Sequence, residues 1–466
     1  MFFKPFLTAA LAVLLAAASA SAQDTQCGLD GIALQNGEAR TFYSARSVEP
    51  GQSCDALATT RRCDGGVLEG DAGQRYHRCT ELEGFLGVNT NRRPEHLDPA
   101  LLERTGADWV RTNVDILAYL EQEETGKTDV KWDFADWDIY IAATDREGGK
   151  AILNLMWNFL DRDQHPPKPG SEREQKLFEY LDTRILDKLA AHVDILTTGN
   201  EIFVNTKKED WEYQDAYGGI PAVVFYTRVT EHVNAYLIDR GLRERVDLYI
   251  GAFTRLHTEK MQAQPAVQAL LAYAETAGYV DGLDLHTHVV NVRQIDKALS
   301  FARTFTTKPI IVTEFTFVWG MKKAIESDET LGPEFAGRWD RDPDQQIEDY
   351  MACEVFGRAK GCKKNGPVSK AEWDDFFATR DWFIDHFILQ ADAIFRQHGV
   401  RGATFGLVQD RPRKSQLNPE RPPWYLGFLF SGGSIEPGPD GMPQPNYQYL
   451  DDFRTIQQQN ASIVRH

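Results

Sequence analysis

From Phe85 onward, short apolar runs alternate with longer stretches of helical length. Parallel strands joined by crossover helices produce this alternation, whereas antiparallel hairpins do not. Eight runs are predicted as strands: Phe85–Asn89, Trp109–Val114, Ala151–Trp157, Val193–Thr198, Val246–Ala252, Gly282–His286, Pro309–Phe315 and Gly402–Val408. Eight strand–helix units over about 370 residues indicate an α/β fold, a (β/α)8 barrel with insertions.

Amphipathic segments between these runs are predicted as helices. They include Lys176–Ala191, Ala222–Arg240 after Pro221, and Glu372–His398. Ser369 stands three residues before Glu372, which is the spacing of a helix N-cap. A doubly wound sheet is the competing fold, but no Gly-rich phosphate loop follows any early strand.

The first 22 residues are predicted to be an export signal. Lys4 provides a short positive region, 7–18 is an apolar run, and Ala20-Ser21-Ala22 is a small-residue cleavage site. The run is too short to span a bilayer. We therefore expect a secreted or periplasmic protein without a membrane span.

Residues 23–83 are predicted to form a small accessory module, followed by a catalytic barrel over 84–466. Four cysteines lie in this module, namely Cys27, Cys54, Cys63 and Cys79. In an exported chain they are expected to form two disulfides among themselves, in any of three pairings. A metal site is less favoured because the C-x2-C spacing is absent. A passive docking role is preferred to a binding role.

The longest insertion, at about 319–370, follows the seventh predicted strand. Cys353 and Cys362 lie in it and are expected to form a third disulfide. Its three aspartates, Asp340, Asp342 and Asp344, lack the Gly and terminal Glu of a calcium loop. Loops after barrel strands lie over the active site. The insertion is therefore a candidate lid or cleft wall, with a solvated acidic turn.

Glu201 and Glu314 each come at the end of an apolar strand. Residues 193–201 read Val-Asp-Ile-Leu-Thr-Thr-Gly-Asn-Glu, and 308–315 read Lys-Pro-Ile-Ile-Val-Thr-Glu-Phe. A carboxylate is costly to bury without partners. It is expected at the carboxyl end of a barrel strand, where barrel enzymes carry their active sites.

The alternation of side chains along a strand predicts which residues point into the barrel. Polar residues of four strands share inward faces: Arg111, Asn113 and Asp115; Thr197 and Glu201; Asp284, His286 and His288; and Glu314. On the seventh strand, this rule turns Ile310 and Val312 inward with Glu314. It turns Ile311 and Thr313 outward, toward the helices.

The pair Asn200-Glu201 after strand four, with Glu314 at the end of strand seven, resembles clan A of the glycoside hydrolases. The resemblance implies Glu201 as general acid/base and Glu314 as nucleophile. It also implies that Asn200 binds the sugar 2-hydroxyl and that Arg111 orients the nucleophile. The strand-six histidines, His286 and His288, match a histidine of several families in the clan. Gly-Asn-Glu is also similar to endo-galactanases and the strand spacing to family 39, so the family stays open.

The resemblance further implies a retaining hydrolase that cleaves β-glycosidic bonds of an extracellular poly- or oligosaccharide. Clan members often carry a Trp at the end of strand eight, which this chain lacks. Trp157, Trp319 or Trp424 is expected in its place, and Asn154 is a further candidate sugar ligand. No metal or cofactor is expected. The pKa of Glu201 is expected to be raised by the negative charge of Glu314.

The net charge of −18 argues against nucleic acid as a partner. A transglycosylase would use both carboxylates, and no sequence feature separates it from a hydrolase. An inactive carbohydrate-binding barrel is a third reading, disfavoured because both carboxylates are present.

Overall fold

The computed structural model describes residues 26–463, except 31, 46, 49–51, 127–135, 328, 358–366, 410–411, 413–415 and 418–419. The predicted export signal lies outside these residues. The chain divides into two compact units. One comprises the described parts of Met1–Arg46 and Ser53–Thr80, and the other comprises those of Ser47–Gln52 and Glu81–His466. In the described part, no helix has the length and apolar character needed to cross a bilayer.

The N-terminal unit is built from short antiparallel strands. Cys27–Leu29 pairs with Ile32–Leu34, and Ala39–Tyr43, Ala58–Asp64 and Val67–Glu69 form a three-stranded sheet. A 3-10 turn covers Cys54–Leu57.

Two disulfides cross-link this unit, Cys27–Cys63 and Cys54–Cys79. The prediction that the first four cysteines pair among themselves is confirmed. Cys353 is also disulfide-bonded. Cys362 lies outside the described residues, so the Cys353–Cys362 bridge stays a prediction.

The larger unit contains a closed barrel of eight parallel strands. We number them β1 (Phe85–Asn89), β2 (Trp109–Asp115), β3 (Lys150–Met156), β4 (Ile195–Thr197), β5 (Asp247–Thr254), β6 (Gly282–His288), β7 (Ile310–Thr316) and β8 (Val400–Val408). Each pairs with its neighbour in sequence, and β8 pairs with both β7 and β1. The predicted barrel is confirmed. Phe428–Ser431 continues the sheet beside β8, and Gln444–Pro445 pairs with it.

Helices follow most of the strands. The α-helices of three turns or less cover Pro99–Thr105, Ile116–Thr125, Asp136–Thr144, Glu172–Tyr180, Asp187–Leu189, Ile202–Asn205, Glu259–Gln262, Arg293–Arg303, Val318–Glu326, Gly332–Trp339, Ile347–Asp349, Lys370–Ala378 and Phe387–Gln397. Longer ones cover Pro221–Asp239, Pro265–Thr276 and Tyr449–Ile463. π-helical turns cover Leu181–Leu186 and Tyr350–Val355.

Two predicted helices differ from the structure. Lys176–Ala191 contains the π-helical turn, and the predicted Glu372–His398 is two helices rather than one. Arg380 lies between the two helices, and its buried guanidinium donates to the carbonyls of Thr330 and Leu331. Ser369 does cap its helix, accepting from the Glu372 N–H at 3.2 Å.

The predicted orientation of β7 is wrong, as the packing inside the barrel shows. Ile311 packs inside with Ile152, Ile195 and Tyr249, so Ile311 and not Ile310 points inward. Opposite β6, the register then shifts: Leu285 pairs with Val312, and His286 pairs with Glu314. Thr313 is thus the extra residue of a β-bulge, which allows Glu314 to reach the interior as well.

Candidate active site

Glu201 lies in the turn that joins β4 to the short helix Ile202–Asn205. Its backbone is left-handed, with φ 47° and ψ 54°. This conformation is unfavourable for a residue with a Cβ, and such residues are concentrated at functional sites. The carboxylate is 24% exposed, so it faces accessible space.

Glu314 near the end of β7 pairs with a buried arginine. Arg111 Nη1 lies 2.6 Å from Glu314 Oε1, and the Arg111 side chain is 0% exposed. The other guanidinium contacts are the side-chain oxygens of Asn91, Asn154 and Asn200. These contacts fix the guanidinium, and the guanidinium in turn fixes the carboxylate of Glu314, the candidate nucleophile.

The charges around Glu314 determine its protonation. Burial raises the pKa of the Glu314 carboxyl, but the positive charges of His286 and Arg111 outweigh burial. The net effect holds its pKa well below the usual range for glutamate. Glu314 is therefore ionised, as an attacking carboxylate requires.

Two histidines of β6 lie between the carboxylates. Glu201 Oε1 is 3.5 Å from His286 Nδ1 and 3.8 Å from His288 Nε2. Glu314 Oε2 is 3.4 Å from the same His288 nitrogen, and Glu314 Oε1 is 3.8 Å from His286 Nε2. The two glutamates thus share both imidazoles, and the structure brings together the four charged or titratable residues expected at strands four, six and seven.

A chain of buried polar groups orients His286. Its Nε2 lies 3.0 Å from the Thr313 hydroxyl, which lies 2.8 Å from both oxygens of Asp284. Asp284 also accepts from the Thr313 N–H and from Asn154. Since the Thr313 hydroxyl donates its proton to Asp284, it accepts from His286 Nε2–H. In a neutral His286, the unprotonated Nδ1 then faces Glu201.

The pKa of Glu201 differs from the sequence-based expectation. Burial raises it, but the nearby imidazoles of His286 and His288 outweigh burial and the charge of Glu314, so the net pKa is lowered. The pKa of His286 is raised: burial lowers it, and the carboxylates of Glu314 and Glu201 more than compensate. The expectation failed because the sequence does not give the distance between these rings and the carboxylate.

Aromatic side chains border one side of the carboxylates. Trp424 is 42% exposed, and its ring meets the His288 ring edge-on at 4.8 Å. Trp319 lies 6.1 Å from Trp424, and the Arg255 guanidinium lies 5.7 Å above Trp319. Trp157 is different: it is fully buried against Phe225, so it offers no surface for a sugar, contrary to its predicted role.

The predicted asparagine ligands separate into two kinds. Asn154 is fully buried and binds Arg111, Gly199 and Asp284, so it supports the site instead of facing a ligand. Asn200 accepts from Arg111 through Oδ1, and among the described residues its Nδ2 has no partner. Asn200 therefore keeps one donor for a ligand.

Sequence reasoning turned Thr313 away from the site, and for Asn91 it offered sugar contact or helix capping but not the contact with Arg111. Asn91 lies two residues beyond β1 and accepts from Arg111 at 3.3 Å. Its position after a strand was the available signal. Alternation counted from an inward Glu314 places Thr313 outside the barrel, and only the bulge between β6 and β7 brings both residues to the interior.

No family model matches the chain, and no curated protein matches its sequence. Solved structures do resemble it. Xylanase 10B from Thermotoga maritima is 11% identical with a TM-score of 0.43, over 81% of this chain and 97% of that one. A family 39 glycoside hydrolase from Bacteroides cellulosilyticus is 10% identical with a TM-score of 0.42, over 86% and 70%. An endo-β1,6-glucanase is 12% identical with a TM-score of 0.43, over 90% and 83%.

Proposed function

We propose that the chain is a retaining glycoside hydrolase that cleaves β-glycosidic bonds of a poly- or oligosaccharide. The observation that carries this proposal is the pair Glu201 and Glu314, which contact the same His288 nitrogen at 3.8 and 3.4 Å. Retention needs two carboxyl groups about 5 Å apart, one to attack the anomeric carbon and one to protonate the leaving oxygen. The shared nitrogen limits the distance between Glu201 Oε1 and Glu314 Oε2 to about 7 Å at most, a range that includes the retaining spacing.

Glu314 is the proposed nucleophile. Its ion pair with the buried Arg111 keeps it ionised and fixes one oxygen, Oε1. Oε2 is the oxygen next to His288, on the side of the Trp424 ring. Attack on the anomeric carbon forms a C–O bond to Glu314 while the bond to the leaving oxygen breaks.

Glu201 is the proposed acid/base. It protonates the leaving oxygen in the first step and removes a proton from water in the second. His286 Nδ1, at 3.5 Å, is a nearby group that can exchange a proton with it. This proximity supports a proton shared by Glu201 and His286 before the sugar binds.

Sugar contacts are proposed from the remaining groups at the site. Asn200 Nδ2 is a donor for the hydroxyl next to the anomeric carbon, as the clan A resemblance implies. The exposed Trp424 ring, backed by Trp319, is a surface on which a sugar ring can stack. Export to the periplasm or the medium agrees with the two disulfides of the N-terminal unit.

The proposal is tested with Glu201→Ala and Glu314→Ala on a panel of aryl β-glycosides, with azide added. Glu201→Ala should still form the glycosyl-enzyme from a substrate with a good leaving group, because that step needs no acid. Azide should then release a glycosyl azide of the same anomeric configuration as the substrate. Glu314→Ala should be inactive without azide and should give the opposite anomer with it, by direct attack.

Glu209→Ala, an exposed glutamate in the loop after β4, is the matched control and should keep wild-type activity. NMR of the azide products identifies each anomer. The same anomer from both variants, or exchanged patterns, would mean that the two roles are misassigned. Full activity in either variant would exclude the mechanism, and transfer products instead of free sugar would indicate a transglycosylase.

A further inference from the structure

Glu201, His286 and His288 present three donor atoms that all lie within 4.8 Å of one another. Two imidazole nitrogens and one carboxylate oxygen are a donor set that zinc uses in proteins. A zinc ion lies about 2.0–2.2 Å from such atoms, so small movements of the side chains would suffice to enclose one.

The orientation of both rings leaves the right nitrogens available. His286 binds the Thr313 hydroxyl through Nε2, and His288 binds the Thr316 hydroxyl through Nδ1. The opposite nitrogen of each ring, Nδ1 of His286 and Nε2 of His288, faces Glu201. Histidines that bind metals commonly have their second nitrogen held in this way, because that bond fixes the tautomer and the ring plane.

One of these nitrogens has no other partner. His286 is fully buried, and its Nδ1 makes no hydrogen bond to any described residue. An unsatisfied buried nitrogen is costly. The Asp284 carboxylate accepts a hydrogen bond from the Thr313 hydroxyl and so fixes the hydroxyl that contacts His286.

The charge of the site also suits a cation. Glu201 and Glu314 contribute two negative charges and Arg111 contributes one positive charge. The site is negative only while His286 and His288 are unprotonated, which is also the form in which an imidazole binds a metal. The three donor atoms lie where Glu201 would protonate a leaving group, so a cation held there occupies the acid/base.

We propose that Glu201, His286 and His288 bind a transition-metal ion of the zinc class, and that the bound ion blocks Glu201 and inhibits the enzyme reversibly. The inhibition rests on the proposed function, whereas the metal binding does not. In chemical terms, the ion takes the place of the proton between Glu201 and His286. A hard cation such as Mg²⁺, which prefers six oxygen ligands, should not bind.

Calorimetry with the untagged full-length chain, freed of metal by a chelator, tests the binding. Titration with ZnCl2 should show one ion per chain with micromolar affinity, and MgCl2 should give no binding. Glu201→Gln and His288→Gln should each weaken Zn²⁺ binding at least tenfold. His192→Gln is the matched control, since His192 Nδ1 contacts Asp145 at 2.9 Å as an isolated histidine–carboxylate pair, and it should bind Zn²⁺ like wild type.

Thermal unfolding followed by circular dichroism identifies any variant that does not fold, in which case the other variant decides. Absence of Zn²⁺ binding by wild type, or wild-type affinity in the folded variants, would overturn the proposal. Reversible inhibition of glycoside cleavage at the same Zn²⁺ concentrations is the second expectation. Zn²⁺ binding by a chain that cleaves no glycoside would contradict only the proposed function. Cleavage without Zn²⁺ binding would contradict only the metal site.

Discussion

The Thr313 hydroxyl connects a buried carboxylate to a histidine at the proposed site. It lies 3.0 Å from His286 Nε2 and 2.8 Å from Asp284. Thr313→Val keeps the shape of the side chain but removes the hydrogen bonds of the hydroxyl to His286 and to Asp284. We expect kcat for an aryl glycoside to fall by about 10- to 100-fold with little change in KM, because His286 loses the bond that orients it.

Thr313→Ser should restore most of the rate, since the hydroxyl returns. Thr198→Val is the matched control: it removes a buried hydroxyl bonded to Thr230 at 2.7 Å, away from the carboxylates. Both valine variants should lose about 1–3 kcal/mol in urea unfolding, but only Thr313→Val should lose rate. Wild-type kcat in Thr313→Val would show that the hydroxyl does not act through His286.

The proposed role of Arg111, to hold Glu314 in place, depends on the several donors of its guanidinium. It is fully buried and reaches Glu314 and three asparagines, whereas a lysine has one nitrogen and cannot span them. Arg111→Lys should lower kcat about 10²- to 10³-fold, because Glu314 is no longer held in place.

Arg243→Lys is the comparison for Arg111→Lys. Arg243 also binds several partners, among them Asp281 at 2.7 Å, but has no contact with the carboxylate pair. It should keep kcat while losing some stability. Steady-state kinetics of the two variants distinguish a loss of Glu314 positioning from a general loss of stability. An equal loss of kcat in both variants would indicate a general effect on the fold.

At the level of elements, Gly199 allows the loop after β4 to approach β5. A Cβ at Gly199 would lie 2.0 Å from the Gly251 carbonyl oxygen and 3.0 Å from Ile202. Gly199→Ala must therefore displace backbone, and we expect it to cost about 3 kcal/mol or more. The displacement should also move Glu201, two residues later, and reduce activity.

Gly337→Ala is the control glycine. Gly337 lies in the helix Gly332–Trp339, and among the described residues no atom beyond its own stretch of helix lies within 4 Å of a Cβ built there. Alanine should stabilise this helix by about 0.5–1 kcal/mol. Urea unfolding of both variants gives the comparison, and a stable, active Gly199→Ala would contradict the close approach.

The strands were predictable from sequence because a strand buried on both faces is apolar almost throughout. The carboxylates at the ends of β4 and β7 were predictable because charges interrupt that pattern. The inward orientation of both Thr313 and Glu314 was not, since it requires a bulge, and a bulge depends on the register between β6 and β7, which local sequence does not encode. The burial of Trp157 escaped prediction for a similar reason: its packing on Phe225 joins residues far apart in the chain.

At the scale of the whole molecule, the two units differ in how they are stabilised. The larger unit has an extensive core, whereas the N-terminal unit has a cluster of four buried side chains, Cys27, Leu34, Phe42 and Cys63. Two of these four form one disulfide. A core of this size is too small to hold a fold without cross-links.

Replacing Cys27 and Cys63 together by serine should therefore unfold the N-terminal unit selectively. The bridge joins residues 36 apart in sequence, and its loss should cost about 2–5 kcal/mol, in addition to the lost burial. Limited proteolysis with mass spectrometry should detect new cleavage sites within 26–80, while the barrel resists. Because the proposed catalytic groups all lie on the barrel strands or the loops after them, cleavage of aryl glycosides should persist. Loss of activity, with cleavage extending into the barrel, would show that the barrel needs the folded N-terminal unit.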